Sequence, residues 1–263
     1  MYSIKDMMNE KELLEWYITA GVDCCCGDVP FAASAVRAPA TEPVVAAKAA
    51  ARPAITDLAQ MSNSACKNAR DICAAAGSLD ELRRAVEAFE GCSLKLTSNK
   101  TVFGDGNPAS DIMIIGEAPG ADEDRIGLPF VGRSGQLLDK MLAAVGLDRS
   151  RCYIANMLPW RPPGNRTPTN AEVAVCLPFL KRQIELIKPR VLLVLGGIAA
   201  CNLLDCEEPI SHLRGKWLEY KSLKNDPIPL LASFHPAYLL RNPAQKAKVW
   251  ADLLRLKKKM RDN

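Results

Sequence analysis

Residues 112–124 read IMIIGEAPGADED, a short unbroken apolar run that ends in a glycine-and-proline turn and an acidic cluster. Five apolar residues with no polar alternation suit a strand buried on both faces. Three more runs have the same character: YIANML (153–158), VLLVLG (191–196) and PLLASF (229–234). Helical patterns fall between them near 133–146, 170–187 and 197–205, and a last one spans 243–261. Strands alternating with helices imply a parallel sheet covered on both faces, an α/β fold. Ligands of such sheets bind beyond the carboxyl ends of the strands. The residues just after each run are therefore where chemistry is expected.

Four such stretches follow. Gly116-Glu117-Ala118-Pro119-Gly120 permits a tight turn and a close backbone approach to a ligand. No Gly-Lys-Ser/Thr follows, so it is not a phosphate-cradling loop. The acidic residues after it are either a solvated helix start or a carboxylate that positions a water nucleophile. Phe130, set between glycines in GLPFVGRSG (127–135), is either core or a platform for a planar base. PWRPPGNR (159–166) holds Arg161, Arg166 and rigid prolines, a composition suited to nucleic-acid backbone contact. Asn156 is either a satisfied core amide or a reader of a heterocycle edge. His235 ends the fourth run and is followed by Pro236 and Arg241.

The chain has 263 residues and 48% hydrophobic content, enough for one sizeable core with a small appendage. No run of about 18 apolar residues is present, so no membrane span is expected. The N-terminus has mixed charge and no apolar signal core. A reducing, cytoplasmic compartment follows, with the 10 cysteines as free thiols. Residues 1–89 carry 9 basic and 12 acidic residues, net −3, and the remainder 25 and 18, net +7. The basic part carries the stretches above, which fits a polyanionic partner. His212 and His235 are the only histidines and no C-x-x-C pair exists, against a zinc finger.

Upstream, residues 1–20 contain a short amphipathic helix and 21–61 an Ala/Pro-rich linker expected to be flexible. Residues 62–88 form a helical lead-in. There, Ser78 with Glu81 reads as a capping box for a helix reaching about Phe89. The main domain is expected over 89–263.

Taken together, Gly106-Asn107-Pro108, GEAPG (116–120), GLPFVGRSGQLLD (127–139), RPPGNR (161–166) with Glu172 and Cys176, HPAYLLR (235–241) and NPAQK (242–246) resemble the family 4 uracil-DNA glycosylases. The resemblance covers roughly residues 89–258. It implies a three-layer α/β/α sandwich around a four-stranded parallel sheet. It also implies a monofunctional glycosylase that removes uracil from DNA. Action as a monomer is expected, although the sequence itself does not give the oligomeric state. By matching position, Gly116 and Ala118 would line the uracil pocket and Phe130 would stack on the base. Asn156 would bind the Watson–Crick edge, and His235 would stabilise charge on the departing uracil. Glu117 and Glu123 match acidic positions tied to activity. Leu239, Leu240 and Arg241 would enter the duplex, and Arg161 and Arg166 would contact DNA.

The family's four cluster cysteines are only half present. Cys92 and Cys176 remain, while Phe89 and Trp160 stand where the other two belong. Two thiolates do not normally hold a four-iron cluster, so no cofactor is expected, with Cys66, Cys73 and Cys152 as the substitute donors to weigh. The alternative function is a non-catalytic or covalent uracil-DNA binding module. A relative of that kind carries a basic, histidine-bearing insertion that this chain lacks. Broader base specificity is a third reading, since no bulky side chain near Gly116 is placed to exclude a thymine methyl.

Overall fold

The computed structural model describes residues 55–222 and 226–261, with side chains from residue 63 onward. The N-terminal helix and most of the linker expected from sequence lie outside the described residues. Helix α1 (Ile55–Ala75) begins inside the stretch expected to be linker, so 55–61 are helical. Gly77 and Ser78 break it from α2 (Leu79–Ala88). Ser78 Oγ accepts from the Glu81 amide at 3.2 Å, while the Glu81 carboxylate accepts from Gly77 N at 2.7 Å. The Glu thus reaches one residue further back than a capping box requires.

After α3 (Ser93–Thr97) come β1 (Asp105–Gly106), β2 (Ile112–Gly116), α4 (Ala121–Ile126), α5 (Arg133–Ala144) and β3 (Tyr153–Asn156). The second half runs α6 (Asn170–Ile187), β4 (Val191–Leu195), α7 (Gly197–Leu204), α8 (Ile210–Leu213), β5 (Trp217–Tyr220), β6 (Ile228–Ser233), α9 (Pro236–Arg241) and α10 (Lys246–Arg261). The sheet order is β1-β3-β2-β4-β6-β5. The four central strands are the four apolar runs, and they are parallel. β1 and β5 add antiparallel edges that the sequence reading did not anticipate, giving a mixed six-stranded sheet.

Alternation along the strands divides the interior into two layers. Met113, Ile115, Leu192, Val194, Leu230 and Ala232 face a core shared with Leu82, Val86, Phe179 and Leu180 from α2 and α6. Ile112, Ile114, Val191, Leu193 and Leu231 face Leu138, Leu142, Leu239, Val249 and Leu253 from α5, α9 and α10. The arrangement is the α/β/α sandwich. The lead-in helices are part of its first layer, since Ala69, Cys73, Leu82 and Val86 are buried there. The folded domain therefore begins upstream of residue 89.

The chain moves from β2 outward to β3, then returns across β2 to β4. Its direction reverses there, leaving a crevice at the carboxyl ends of the strands. One buried polar cluster ties this end of the sheet to the last helix. Asp252 is fully buried on α10, accepts from Ser233 Oγ at 2.6 Å and pairs with Arg214 at 2.6 Å. Removing one partner leaves the other charge buried and uncompensated, which typically costs about 3–5 kcal/mol. Asp252→Ala is expected to lose stability on that scale in urea denaturation.

Candidate active site

Parallel pairing sets Gly116 opposite Asn156 at the last rung of β2 and β3. Two further amide bonds, Met157 N to Gly116 O at 2.9 Å and Leu158 N to Glu117 O at 3.1 Å, carry the pairing into the turn. A cavity of about 390 Å³ opens beyond these ends. Glu117, Ala118, Pro119, Gly120, Glu123, Phe130, Asn156, Arg166, His235, Tyr238 and Arg241 line it. The turns after three of the four parallel strands thus converge on one space, as a crevice at a point of chain reversal requires.

Glycine at 116 is a packing requirement. A Cβ there would lie 2.4 Å from Asn156 Oδ1 and 2.6 Å from Phe130 Cζ. The missing side chain lets an aromatic ring and an amide meet over the strand end. Phe130 is buried at 3% exposure, and its ring stacks against His235 with centroids 5.5 Å apart and planes at 29°. Its backbone is left-handed at φ 54°, a conformation that strains a non-glycine residue by about 1–3 kcal/mol.

The acidic cluster separates into three environments. Asp122 is at the surface beside Arg125. Asp124 is buried and accepts from Asn99 N at 2.8 Å. Glu123 is buried too, with Oε2 accepting from Gly120 N at 3.1 Å and Oε1 from Val131 N and Gly132 N at 2.9 Å each. Both Glu123 oxygens are thus engaged by the backbone. Glu117 differs: it is half-buried in the cavity wall, and burial raises its carboxyl above the ordinary range.

His235 caps α9, with Nδ1 accepting from the Ala237 amide at 3.1 Å. An accepting Nδ1 places the ring proton of the neutral form on Nε2, as assigned from the hydrogen-bond network. Burial, reinforced by Arg241, pulls the His235 pKa down to about 4. The ring is neutral at pH 7 and is a donor through Nε2.

The outer residues divide. Arg166 forms a two-pronged pair with Glu172 at 2.6 and 2.9 Å, and with its help Glu172 is held down at about 2. Arg161 Nε donates to Asn165 Oδ1 at 2.8 Å, and Arg161 lies outside the cavity lining. On α9, Leu240 is 40% exposed, but Leu239 is 1% exposed and sits in the second core with Leu138 and Val249. The expectation that Leu239 enters DNA is therefore corrected: helical spacing from Pro236 turns it inward. Tyr238 and Ser134 also line the cavity and were not singled out from sequence. Their positions, in the first turns of α9 and α5, were the available signal.

The cluster positions hold apolar packing. Cys92 and Cys176 are buried with sulfurs 3.9 Å apart. Contact with Cys92, together with burial, holds the Cys176 thiol well above its ordinary range. Phe89 and Trp160 are buried beside them, stacked at 6.2 Å and 17°, and both rings pack edgewise on Phe179. Cys152 belongs to the opposite core layer, which removes it as a substitute donor. Among the described residues no group of three or more His, Cys, Asp or Glu side chains is placed to hold a metal. The donor set does not fit a four-iron cluster, which needs four ligands.

Residues 103–254 match the Uracil DNA glycosylase superfamily. The chain belongs to that superfamily. It is 41% identical to the Type-4 uracil-DNA glycosylase of Archaeoglobus fulgidus over 183 residues, 68% of this chain and 92% of the relative. It is 37% identical to the Type-4 enzyme of Pyrobaculum aerophilum over 66% of this chain and 91% of the relative. For the Type-4 enzyme of Thermotoga maritima the figures are 40%, 62% and 83%.

The geometry makes Gly116 a direct test of the site, since a Cβ there meets both Asn156 and Phe130. Gly116→Ala is expected to displace Phe130 or Asn156 by a few tenths of an ångström or more. Uracil release from DNA should then fall about 10-fold or further, since misplacing groups by about 1 Å can cost about 100-fold. Steady-state kinetics against wild type checks this.

Proposed function

We propose that this protein is a monofunctional uracil-DNA glycosylase of DNA repair, which hydrolyses the bond between uracil and deoxyribose and leaves an abasic site. The observation that carries the reading is the convergence of Phe130, Asn156 and a neutral His235 on one cavity at the sheet's carboxyl edge. Sites that act on a duplex base take it out of the stack, at a cost of a few kcal/mol. The cavity is of a size to receive a pyrimidine, with Phe130 stacking on its face and the Asn156 amide meeting its Watson–Crick edge. Leu240 and Arg241, on the exposed side of α9, fill the gap in the duplex. Arg161 and Arg166 follow the backbone while kept in shape by Asn165 and Glu172.

Cleavage develops positive charge on the sugar and negative charge on the departing base. The C1′–N1 bond breaks, and the electron pair leaves with uracil, delocalised onto its carbonyl oxygens. His235 Nε2–H donates to one of these oxygens. Loss of one such donor typically costs about 10²–10³ in rate. Water adds at C1′ and gives its proton to Glu117, the cavity carboxylate whose environment favours proton uptake. Glu123 contributes by holding the loop around Phe130. The uracil anion is then protonated from solvent.

No step requires a cluster, and the Phe89–Trp160–Phe179 packing supports a cluster-free protein. A cavity built from one chain supports action as a monomer. The cysteines among the described residues are free, which supports a cytoplasmic address. No described helix is long and apolar enough to cross a membrane.

An oligonucleotide with one uracil, treated with protein and then hot alkali, is expected to break at that position. His235→Ala should cut the rate about 10²–10³-fold. Uracil-DNA retention with no alkali-labile site, or a covalent adduct, would instead indicate a binding module. Glu117 acts deprotonated and burial raises its pKa, so the rate should be level above that pKa and fall as pH drops through it. Glu117→Gln should lower the rate and remove that acid limb. Iron and sulfide analysis of anaerobically purified active protein should find neither in stoichiometric amount. A cluster would show as iron and sulfide at about four each per chain.

A further inference from the structure

Arg149 lies between α5 and β3, outside the cavity lining. Its guanidinium nonetheless reaches the backbone that carries Phe130. Nη1 donates to Pro129 O at 3.1 Å and Nη2 donates to Phe130 O. The remaining contacts hold the guanidinium in place: Nη1 to Asp105 at 2.7 Å and Nε to Asp139 at 3.0 Å. Asp105 reaches it because the two-residue strand β1 pins residues 105–106 against β3. From the other side, Glu123 accepts the next two amides, Val131 N and Gly132 N, at 2.9 Å each.

The segment 129–132 is therefore held on both of its polar edges. Its carbonyls are held by a cation that two aspartates fix, and its amides by a buried carboxylate. Between these holds sits the one residue of the segment with left-handed backbone, Phe130 at φ 54°. Gly135 gives the segment room, since a Cβ there would lie 1.8 Å from Phe130 O. A side chain unsuited to that backbone needs surroundings that over-determine it, and the two holds supply them. Only a planar fork with several donors reaches two adjacent carbonyls and two carboxylates together. A lysine ammonium does not.

We propose that Arg149 is a positioning residue for uracil excision: with Glu123 it clamps the 129–132 backbone and so fixes the Phe130 ring over the base. The proposal rests on the reading that Phe130 stacks on the flipped uracil. Arg149 touches no substrate and acts wholly through Phe130.

The test uses full-length protein and a double-mutant cycle of Phe130→Ala and Arg149→Gln. Three quantities are read well below each variant's Tm: kcat, KM for uracil-DNA, and Ki for free uracil as product inhibitor. Arg149→Gln is expected to lower kcat by about 10-fold or more and to weaken uracil inhibition by about 10-fold, on the scale of a misplaced positioning group. KM for DNA should stay within about 2-fold, because no DNA-facing residue has changed. Added to Phe130→Ala, Arg149→Gln should cost little more, since groups that act through one another are non-additive. Arg149→Lys keeps a charge for Asp105 but cannot span both carbonyls. It should show the same pattern more mildly, and it serves should the Gln variant not fold. Arg149 variants with lowered Tm but wild-type kcat and uracil Ki would overturn the clamp, as would losses that multiply with those of Phe130→Ala. Should Phe130→Ala itself leave kcat and uracil Ki unchanged, the stacking reading falls and takes the clamp with it. Should Phe130→Ala be impaired and Arg149→Gln not, the clamp alone falls.

Discussion

The parallel rung that sets Gly116 beside Asn156 is the constraint on which the site depends. Strand pairing brings two backbones to about 4.8 Å, and glycine leaves no side chain in the gap. Phe130 Cζ and Asn156 Oδ1 occupy the space a Cβ would need. A base stacked on Phe130 can then meet an amide rising from the neighbouring strand end. The sheet order puts β2 between β3 and β4, with β6 next, so His235 after β6 completes the same wall. The reversal of chain direction, more than any single loop, assembles the cavity.

Several charged groups in the cavity wall and behind it are engaged by the protein itself. Glu123 serves three backbone amides, Arg166 is paired with Glu172, and Arg214 with Asp252. Each pairing fixes backbone: the Phe130 loop, the entry to α6, and the end of β6 against α10. The groups that face the cavity with a titration shifted towards neutrality are Glu117 and His235. Burial moves them in opposite directions, and both shifts favour the uncharged form. The proposed reaction calls for an uncharged imidazole that donates to the leaving anion. His235 fits that setting because its Nδ1 is occupied by the Ala237 amide, which leaves one donor with a fixed direction.

What was legible in the sequence follows from how local each signal is. The four central strands announce themselves because a strand buried on both faces needs an unbroken apolar run. β1, with two residues, and β5, half exposed at the sheet edge, carry no such run. Position just after a strand drew attention to Glu117 and His235, and flanking glycines to Phe130; all three line the cavity. The division of labour between Glu117 and Glu123 was not legible, because it depends on amides from residue 131 and 132 folding back onto α4. Leu239 was misread as a DNA-facing residue, although its three-residue spacing from Pro236 hinted at an inward face. Arg149 gave no signal, as the acceptors that tie it to the site are backbone carbonyls about twenty residues away.

The two cysteines matched by the resemblance lie within apolar core. Cys92 and Cys176 are small and buried, and a free thiol in such a place behaves as a small hydrophobe. Their retention therefore needs no metal to explain it. Phe89 and Trp160 are far larger than cysteine and stack on one another while both meet Phe179. Trp160 satisfies its one donor on Thr101 Oγ1 at 3.0 Å, so the indole is buried without an orphaned N–H. A cluster at this place would tie the segment before α3, the end of β3 and helix α6 together through metal–sulfur bonds. The three rings join the same three segments through dispersion and apolar burial. Buried aromatics of this size contribute on the order of 3–5 kcal/mol each when truncation is measured, enough to hold the three segments together. Phe130 belongs to the other core layer from these rings, and the site's geometry is set by the sheet and by the Glu123 and Arg149 contacts.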